Sequence, residues 1–525
     1  MTRPDRTTLL AFGGILVVLF LVSTNLTVVG TALPRIIAEL DGFHLYAWAF
    51  TAFILTSTIS LPVFGRLSDT YGRKRLLLFG IVLFSVASAA AGFAQTMGQL
   101  VVLRAVQGLG GGALMAMTWA SLGDLFTPRQ RGAYQGFTSG VFGLSSVIGP
   151  IIGGVITDTI GWRWVFFVNV PIAIVAFAVV QRYVPVGRRG ADASIDVAGV
   201  VLLTLCTVPL LLALSWGGVS VAWASPLVLA LLAGGALAGA AFVWWELRAQ
   251  APIIPFGIFR DRTVAISGLG TFLSGGTLFV AIIYLPLYVQ GVAGGSAAAS
   301  GFALAPLMGG FVVAGIVSGQ GVSRSGHYKR WIVGAGVLTT LAFGLVATMD
   351  GATPVPVVVL VSFLLGLGLG PPLSLYVLAS QNATAPALLG TVTSAVQFFR
   401  QVGGMLAVAV FGSVIAARLA LGLERANEVL AGATPETRAL VTSPNTLTDP
   451  VRLAEASALL ARDMGEAAVP VALLAVRGAL GDALSVMFAC TALLALAGLV
   501  AAVGLPSLRL GDGSEAPGRD GPSPR

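Results

Sequence analysis

Fourteen hydrophobic runs follow one another along the chain, separated by short polar stretches. Each run is long enough for an α-helix that crosses a hydrocarbon core of about 30 Å, which takes about 20 residues. The pattern predicts an all-α integral membrane protein with 14 transmembrane helices and both chain ends on one side of the bilayer. The predicted spans are 8–30, 46–65, 76–95, 98–122, 133–156, 163–183, 195–214, 226–245, 264–290, 298–321, 331–349, 354–379, 389–417 and 479–506.

The amino-acid composition supports a membrane protein and offers no residues for a disulfide framework or a metal site. Only 10% of the 525 residues are charged and 56% are hydrophobic, whereas about 25% of residues are charged in a soluble globular protein. Cys206 and Cys490 lie apart in apolar runs, and His44 and His327 fall in predicted loops. Such isolated residues build no disulfide framework and no metal site. No cofactor is expected, and the chain is not expected to be an enzyme.

Basic residues are concentrated on one side of the predicted membrane. Of the 30 Lys and Arg residues, 20 lie in segments on the same side of the membrane as the N-terminus, and two lie in short loops on the opposite side. Because Lys and Arg are enriched in cytoplasmic loops, both termini are predicted to be cytoplasmic, in a multi-pass protein of the inner membrane. The asymmetry explains the net charge of +8 without a nucleic-acid partner. Six more lie in residues 418–478, and the last two are inside spans.

Two segments lie outside the pattern of spans. Residues 418–478 form the one sizeable polar piece and mix acidic with basic side chains. One or two solvated surface helices are expected there, with a partner-binding or gating role as the alternative. The tail 507–525 is rich in Gly and Pro, so it is expected to be disordered in the cytoplasm.

Two predicted inner loops share one spacing of glycines. Residues 65–75 read GRLSDTYGRKR and residues 319–330 read GQGVSRSGHYKR, each with two glycines seven residues apart and basic residues close behind. Matched loops of this kind indicate two halves related by an axis along the membrane normal. The composition of any short inner loop explains the residue types but not the matched spacing.

Several stretches together match the motifs of one family. The loop 65–75 has Asp69 and Arg73 at the characteristic positions of a signature between spans 2 and 3. The exporter signature of span 5 is carried by Gly136, Gly149, Pro150, Gly153 and Gly154, with Ser145 where that pattern has glycine. The other matching stretches are LVVLRAVQGLGGG, WRWVFFVNVP, PIIPFGIFR, YLPLYVQ and FFRQVGG. The chain thereby resembles the major facilitator superfamily, in its fourteen-span drug:proton antiporter branch.

This resemblance implies the major facilitator fold, with two six-helix bundles plus two extra spans. The implied units are 1–190 for the N-terminal bundle, 191–250 for two additional helices, 251–417 for the first five helices of the C-terminal bundle, 418–478 for an extracytoplasmic loop, 479–506 for the last span and 507–525 for the tail. It also implies a monomer in the lipid bilayer that moves a small-molecule substrate, with protons as a candidate second substrate.

The two signatures have expected roles in conformation. Asp69 can accept hydrogen bonds from a facing helix N-terminus, where a carboxylate is favoured. With Gly65, Gly72 and Arg73 it would form a conformational latch that biases the outward-open state. The alternative is that the basic residues are only topology signals. In span 5 the small residues at 136, 145, 149 and 153 fall near one helix face, where a neighbouring backbone can approach, and Pro150 is expected to kink the helix.

Arg104 and Arg400 are predicted to lie inside the membrane. Inserting an arginine at the centre of a membrane helix costs about 2.5–3.5 kcal/mol of free energy, and such residues are functional candidates. None of the 22 acidic residues lies deep within a span. Carbonyls, amides, hydroxyls, water or an anionic ligand must therefore satisfy the guanidinium groups. Arg104 is interpreted as a proton relay or site-shaping residue or as a structural one, and Arg400 as a substrate-facing residue or as part of a structural network with Gln397 and Gln401.

The first span carries polar residues, among them Thr24, Asn25 and Thr27, within an apolar run. In the branch that the chain resembles, an acid precedes the motif Thr-Ile-Val-Asn-Val-Ala-Leu-Pro, and alignment on residues 32–34 puts Asn25 at the position of that acid. Asn25 and Arg104 lie at comparable depth, so we predict that they are close in space. The alternative is that the hydroxyls bond their own helix and that the amide only holds helices together.

The expected function follows from the resemblance, with the energy source open. The first hypothesis is a secondary active exporter of small, mostly hydrophobic compounds by alternating access, with its proton site near Asp69, Asp124, Glu39 or Asp41. The alternative is a carrier or facilitator of neutral or anionic metabolites without proton coupling at span 1, since the amide of Asn25 does not titrate. A membrane sensor or embedded enzyme is the third class, which no cluster of His, Cys or acids favours.

Polar and aromatic residues in several spans are candidates for the lining of the substrate cavity. Most such residues in membrane helices serve in packing or as interface anchors, which is the alternative for each of them. The candidates are Trp48, Phe53, Tyr284, Tyr288, Gln290, Tyr376, Gln397 and Phe398.

Overall fold

The structure is a computed structural model that describes residues 4–40, 45–186, 196–217, 221–294, 297–442, 444–447 and 450–507. Within these ranges the chain is helical, apart from turns, short connecting segments and an isolated bridge between Gly217 and Val221. Fourteen helical stretches of the described residues are long and apolar enough to cross a membrane, which confirms the predicted number. The tail from residue 508 onwards lies outside the described residues.

The described ranges contain 17 α-helices. They are α1 (Arg6–Leu40), α2 (Tyr46–Tyr71), α3 (Arg73–Gly92), α4 (Met97–Leu125), α5 (Pro128–Thr159), α6 (Trp164–Phe167), α7 (Asn169–Tyr183), α8 (Val197–Trp216), α9 (Pro226–Glu246), α10 (Arg262–Gly291), α11 (Ala297–Ser325), α12 (Lys329–Ala347), α13 (Val355–Asn382), α14 (Leu389–Val429), α15 (Pro435–Thr442), α16 (Pro450–Met464) and α17 (Ala468–Val503). Helices α6 and α7 together make one span, and α5 continues through Pro150.

The spans form two bundles and one additional pair. Helix α1 packs against α4, α5 and α7, and both α2 and α3 pack against α4, which makes α1–α7 the N-terminal bundle. Helix α10 packs against α13, α14 and α17, and α13 packs against α11 and α12, so these six helices make the C-terminal bundle. Helices α8 and α9 pack against each other, and α8 also touches α2 and α14. The arrangement confirms the all-α fold class predicted for the chain.

The two glycine-spaced loops are mostly helical, which corrects the predicted span ends. Helix α2 runs through Tyr71 and α3 begins at Arg73, so Gly72 alone makes the turn. Gly72 has a φ of 85° and Gly326, in the second repeat, a φ of 75°, and glycine adopts this left-handed backbone without steric cost. Polar residues end a hydrophobic run without ending a helix. Asp69 therefore projects from the last turn of α2, and its position is fixed by the helix.

Residues 418–478 continue the C-terminal bundle. Helix α14 extends to Val429 and α17 already begins at Ala468, so both flanking spans reach into this segment, with α15 and α16 between them. Leu430, Val441 and Leu460 are fully buried and belong to the large hydrophobic cluster of the C-terminal bundle. The helices expected on the surface thus pack one apolar side against the bundle.

Helix α5 uses its small residues against two partners. A methyl group at Gly136 would lie 2.6 Å from the carbonyl oxygen of Gly315 in α11, so the two backbones touch across the interface between bundles. Methyl groups at Gly149 and Gly153 would lie 1.9 Å and 2.3 Å from threonine hydroxyls of α1. Ser145 is buried, and its hydroxyl donates to a carbonyl oxygen one turn earlier. The first half of α5 therefore joins the bundles, and the second half stays within its own.

Replacing Gly136 by alanine is expected to lower the apparent melting temperature of the purified protein, because α5 must move away from α11. Overpacking of this kind costs about 1–3 kcal/mol. Gly154→Ala is the control in the same helix, since a methyl group there meets no atom within 4 Å. Its melting temperature should stay the same or rise, because alanine is the better helix former. Equal effects of the two substitutions on the melting temperature would contradict close packing at Gly136.

Candidate functional site

A cavity of about 20 Å³ lies between the two bundles, where α1, α2 and α4 face α14. This volume holds about one water molecule, whereas ligand sites measure about 300–1,000 Å³. The bundles are therefore close together in this conformation. The lining residues are Val22, Phe53, Ser57, Leu61, Gly111, Gly112, Met115, Trp119, Gln397, Arg400 and Gln401.

Arg400 supplies the positive charge of the cavity. Its side chain comes from α14, and its Nε donates a 2.7 Å hydrogen bond to Oε1 of Gln397, one turn earlier in the same helix. Among the described residues, no carboxylate lies within ion-pair distance of the guanidinium group. The C-terminal side of the cavity therefore presents a cation flanked by the amides of Gln397 and Gln401.

Arg104 is fully buried within the N-terminal bundle. Its Nη1 donates to Oδ1 of Asn25 at 2.7 Å and to Oε1 of Gln107 at 2.6 Å, and its Nε donates to the carbonyl oxygen of Ala49 at 3.1 Å. The guanidinium carbon also lies 4.3 Å from the centre of the Phe53 ring, a cation–π contact. The predicted proximity of Asn25 and Arg104 is thus present. Arg104 joins α4 to α1 and α2.

The cluster around Arg104 does not line the cavity but is in contact with it through Phe53. Phe53 is the shared element, because its ring contacts Arg104 and also lines the cavity. Asn25 Nδ2, Arg104 Nη2 and Gln107 Nε2 have no hydrogen-bond partner among the described residues. Sequence reasoning did not assign Gln107 to the site, although a residue three positions after Arg104 lies on the same helix face. Amides and a ring, in place of a carboxylate, surround this charge.

The threonines of α1 have separate roles. The hydroxyl of Thr27 donates to the carbonyl oxygen of Thr24 at 3.1 Å, and the same hydroxyl faces Gly149 of α5. The alternative of a hydroxyl bonded to its own helix therefore applies to Thr27. The hydroxyl of Thr24 is buried and has no partner among the described residues. Neither threonine is among the residues that line the cavity.

Tyr284 and Tyr288 lie in the C-terminal bundle and are not among the residues that line the cavity. The Tyr284 hydroxyl donates to the carbonyl oxygen of Val408 at 2.8 Å, and that of Tyr288 donates to the carbonyl oxygen of Asp350 at 2.7 Å. Both rings are buried. Carbonyl oxygens of the same bundle satisfy the hydroxyls, so both residues serve packing in this conformation.

Four further candidates, three aromatic residues and one glutamine, are also absent from the cavity lining. Trp48 meets Trp216 of α8 edge to face, with ring centres 5.5 Å apart. Tyr376 packs on Gly270, where a methyl group would lie 2.2 Å from the phenol ring. Phe398 packs against a hydrophobic cluster next to α8 and α9, and Gln290 is absent from the cavity lining. Of the eight proposed lining residues, Phe53 and Gln397 line the cavity.

The expected latch joins α2 to the N-terminus of α14. Asp69 Oδ1 accepts from the backbone N–H of Gly390 at 2.9 Å, and Oδ2 accepts from the N–H and the hydroxyl of Thr391, both at 2.8 Å. The first N–H groups of a helix have no partner inside the helix and favour a negative charge. A methyl group at Gly65 would lie 1.8 Å from the Ser394 hydroxyl, so only glycine allows this approach of α2 and α14.

Arg73 holds the Asp69 carboxylate from the other side. Its Nη2 lies 3.4 Å from Asp69 Oδ1, and its Nε donates to Asp124 at the end of α4. Gly72 makes the turn that brings Arg73 to this place. The four residues of the expected latch (Gly65, Asp69, Gly72 and Arg73) thus lie together at one end of the molecule, which we call the latch end.

Hydrogen bonds that involve no carboxylate close the same end, and sequence reasoning missed them. Gln135 of α5 donates to Oε1 of Gln381 in α13 at 3.0 Å, and Gln381 Nε2 donates to the carbonyl oxygen of Trp119 at 3.1 Å. Arg129 Nε donates to the carbonyl oxygen of Ser323 at 3.1 Å. Both glutamines are fully buried in apolar helices, which is the signal that could have found them. All three bonds join the two bundles.

The stretch PIIPFGIFR docks beside the latch. The buried carboxylate of Glu246, at the end of α9, accepts from the backbone N–H groups of Ile253 at 3.2 Å and Ile254 at 3.1 Å. These two isoleucines enter a hydrophobic cluster that also contains Ala395 of α14 and touches Val63 of α2. The connection from α9 to α10 therefore contacts both bundles where the latch joins them.

The acids proposed as proton sites are all engaged in ion pairs where they are described. Asp69 and Asp124 belong to the latch contacts with Arg73. Glu39 accepts a hydrogen bond from Arg163, which lowers the pKa of its carboxyl, and a second one from Trp162. Asp41 lies outside the described residues. Within the described part of the chain, no group of three or more His, Cys, Asp or Glu side chains is placed to hold a metal ion.

Two helical bundles around a small central cavity, with hydrogen bonds closing one end, are typical of a membrane transport protein. The chain belongs to the Major Facilitator Superfamily, whose family profile matches residues 15–408. It is therefore a multi-pass membrane transporter and not an enzyme, and its substrate is a small molecule.

Sequence relatives that are named as multidrug transport or resistance proteins support this assignment. The chain is 37% identical over 417 residues to multidrug transporter protein MdtP of Bacillus subtilis, covering 79% of this chain and 76% of the relative. It is 35% identical over 413 residues to multidrug resistance protein 3 of the same organism, covering 79% and 80%. The human organic anion transporter MFSD10 shares the fold, with a TM-score of 0.60 and 13% identity over 95% of this chain and 100% of that one.

Asn25→Ala is expected to destabilise the N-terminal bundle, because Arg104 Nη1 loses an acceptor in a fully buried site. Hydrogen bonds to charged groups contribute about 1.5–3 kcal/mol each. A fall in the apparent melting temperature of several degrees should result. Thr27→Ala is the control from the same helix, since that hydroxyl bonds to its own helix. A fall as large for Thr27→Ala as for Asn25→Ala would show that the Arg104 contact contributes nothing.

Asp69→Asn is expected to open the latch end. The amide keeps one acceptor oxygen but places an N–H group against a backbone N–H of α14. The loss of one charged hydrogen bond of about 1.5–3 kcal/mol should raise the open population about tenfold or more. The measurement is the distance distribution between spin labels at the exposed positions Tyr71 and Ala387.

Asp261→Asn is the matched control for the latch variant. Asp261 Oδ1 accepts from the backbone N–H groups of Thr263 and Val264 at the start of α10, entirely within one bundle. This substitution should leave the label distances unchanged. The labelled proteins carry serine in place of Cys206 and Cys490. Identical distance distributions for the labelled Asp69→Asn variant and for the labelled protein that retains Asp69 would contradict the role of Asp69 in closing the latch end.

Proposed function

We propose that the protein is a secondary active exporter of small, mostly hydrophobic compounds that works by alternating access. The observation that carries the proposal is the cavity where α1, α2 and α4 face α14, together with the hydrogen bonds at the latch end that join the two bundles. Val22, Phe53, Leu61, Met115 and Trp119 give it an apolar lining. Relatives named as multidrug transporters support export of compounds of this kind.

The proposed cycle separates the bundles at the latch end and rejoins them. The latch end faces the cytoplasm in this proposal, supported by the concentration of Lys and Arg on that side. When Asp69 leaves the N-terminus of α14, α2 and α14 part and a compound enters from the cytoplasm or the inner leaflet. Closing the latch then favours the state open to the outside. One chain contains both bundles and the cavity, so we propose a monomer as the working unit.

Proton coupling is assigned to the latch carboxylates in this proposal. Asn25 occupies the place of the usual acid of the first span, and an amide does not titrate in this range. Asp69 and Asp124 are carboxylates whose protonation would weaken their contacts with Arg73 and with α14. Protonation would therefore favour opening at the latch end. Arg400, with its flanking amides, favours neutral or anionic compounds over dications.

The second candidate function is facilitated transport of neutral or anionic metabolites. It is favoured by the absence of carboxylates among the cavity-lining residues of the described chain. A carrier of this kind would equilibrate its substrate and would not concentrate it.

Flux into proteoliposomes with and without an imposed pH gradient separates the two candidates. The native protein is expected to concentrate a neutral hydrophobic dye against its gradient only when the pH gradient is present. Asn25→Asp should add a titratable acid beside Arg104 and change the pH at which uptake is half-maximal. Asn169→Asp is the control, since the Asn169 amide donates to Ser88 and lies in the same bundle without an Arg104 contact. Gradient-driven accumulation by Asn25→Asp alone would make the native protein a facilitator.

A further inference from the structure

A groove of about 700 Å³ lies on the C-terminal bundle, between the start of α12 and the end of α17. It is at the latch end, because α12 follows the turn at Gly326. Its lining combines basic side chains with an apolar floor: His327, Lys329, Arg330, Val333, Gly334, Val503 and Ser507. It is distinct from the central cavity and from the latch.

The two repeats differ in whether their basic side chains have carboxylate partners. Superposing the paired glycines puts Ser323 at the position of Asp69 and His327 at that of Arg73. In the first repeat, Asp69 and Asp124 neutralise Arg73. In the second, no carboxylate of the described residues lies within ion-pair distance of Lys329 or Arg330. The second loop therefore keeps its positive charge.

Three features of the groove favour a phosphate that is attached to a hydrocarbon chain. Lys329 and Arg330 stand at the first positions of α12, a helix of 19 residues whose N-terminus favours negative charge. Val503 is 56% exposed and, with Val333, gives the floor an apolar surface that water solvates poorly. The groove lies at the ends of two candidate spans, Lys329–Ala347 and Ala468–Val503, and lipid headgroups are expected at the level where spans end. A soluble phosphate would use the charges but not the floor.

We propose that this groove binds an anionic membrane lipid, with the headgroup phosphate on Lys329 and Arg330 and an acyl chain along Val333 and Val503. Basic pockets between transmembrane helices recognise anionic headgroups in this way. His327 also lines the groove, beside the two residues that would hold the phosphate. The lipid would hold the start of α12 against the end of α17, two helices that pack together in the C-terminal bundle.

Native mass spectrometry of the full-length protein tests the proposal with phosphatidylglycerol and phosphatidylcholine. The native protein is expected to retain phosphatidylglycerol and to exclude phosphatidylcholine. The double variant Lys329→Gln/Arg330→Gln should bind phosphatidylglycerol about 30-fold more weakly, because each surface cation contributes about fivefold in affinity. Its melting temperature in phosphatidylcholine alone should match the native value, which shows that it is folded.

Arg260→Gln/Arg262→Gln is the matched control. These arginines are also exposed at the latch end, and the variant loses the same charge. It should retain phosphatidylglycerol as the native protein does, and equal loss in both variants would overturn the proposal in favour of general surface charge. Inorganic phosphate should not displace the lipid at equimolar concentration, and equal competition would make soluble phosphate the ligand. Lipid binding that appears only after removal of residues 508–525 would identify the tail as the occupant and also overturn the proposal.

Discussion

Asp69 accepts hydrogen bonds from backbone N–H groups that α14 cannot satisfy within itself. The carboxylate lies on one bundle and the helix N-terminus on the other, so each satisfies the other only while the latch end is closed. Around this contact, Gly65 lets α2 approach α14 and the connection from α9 to α10 packs against both helices. The closed arrangement of the bundles therefore depends on a bond that loses its partner as soon as the bundles part.

Hydrophobicity along the chain predicted the number of spans because a membrane imposes one length on every helix that crosses it. The contact between Asn25 and Arg104 followed from depth along two helices and from the need of a buried guanidinium for partners. The positions of Tyr284 and Tyr288 did not follow, because a tyrosine suits a cavity wall and a packed core equally well. Gln135 and Gln381 lie 246 residues apart, and nothing local in either helix indicates the other.

The two arginines inside the membrane have different partners. Arg104 is enclosed by oxygen atoms of Asn25, Gln107 and Ala49 and by the Phe53 ring, so its charge serves the N-terminal bundle. Arg400 has Gln397 as its partner and faces the cavity. Phe53 touches Arg104 and lines the cavity opposite Arg400. A ligand that displaces this ring would thus act on the helix junction at Arg104 without touching it.

The amide bridge between Gln135 and Gln381 gives the closed end a component that does not depend on charge. Acid removes the charge of a carboxylate. It does not affect a hydrogen bond between two buried amides. The closure at the latch end is therefore a sum of two parts, one that responds to acidity and one that does not. The amide part remains in place when the carboxylates are protonated.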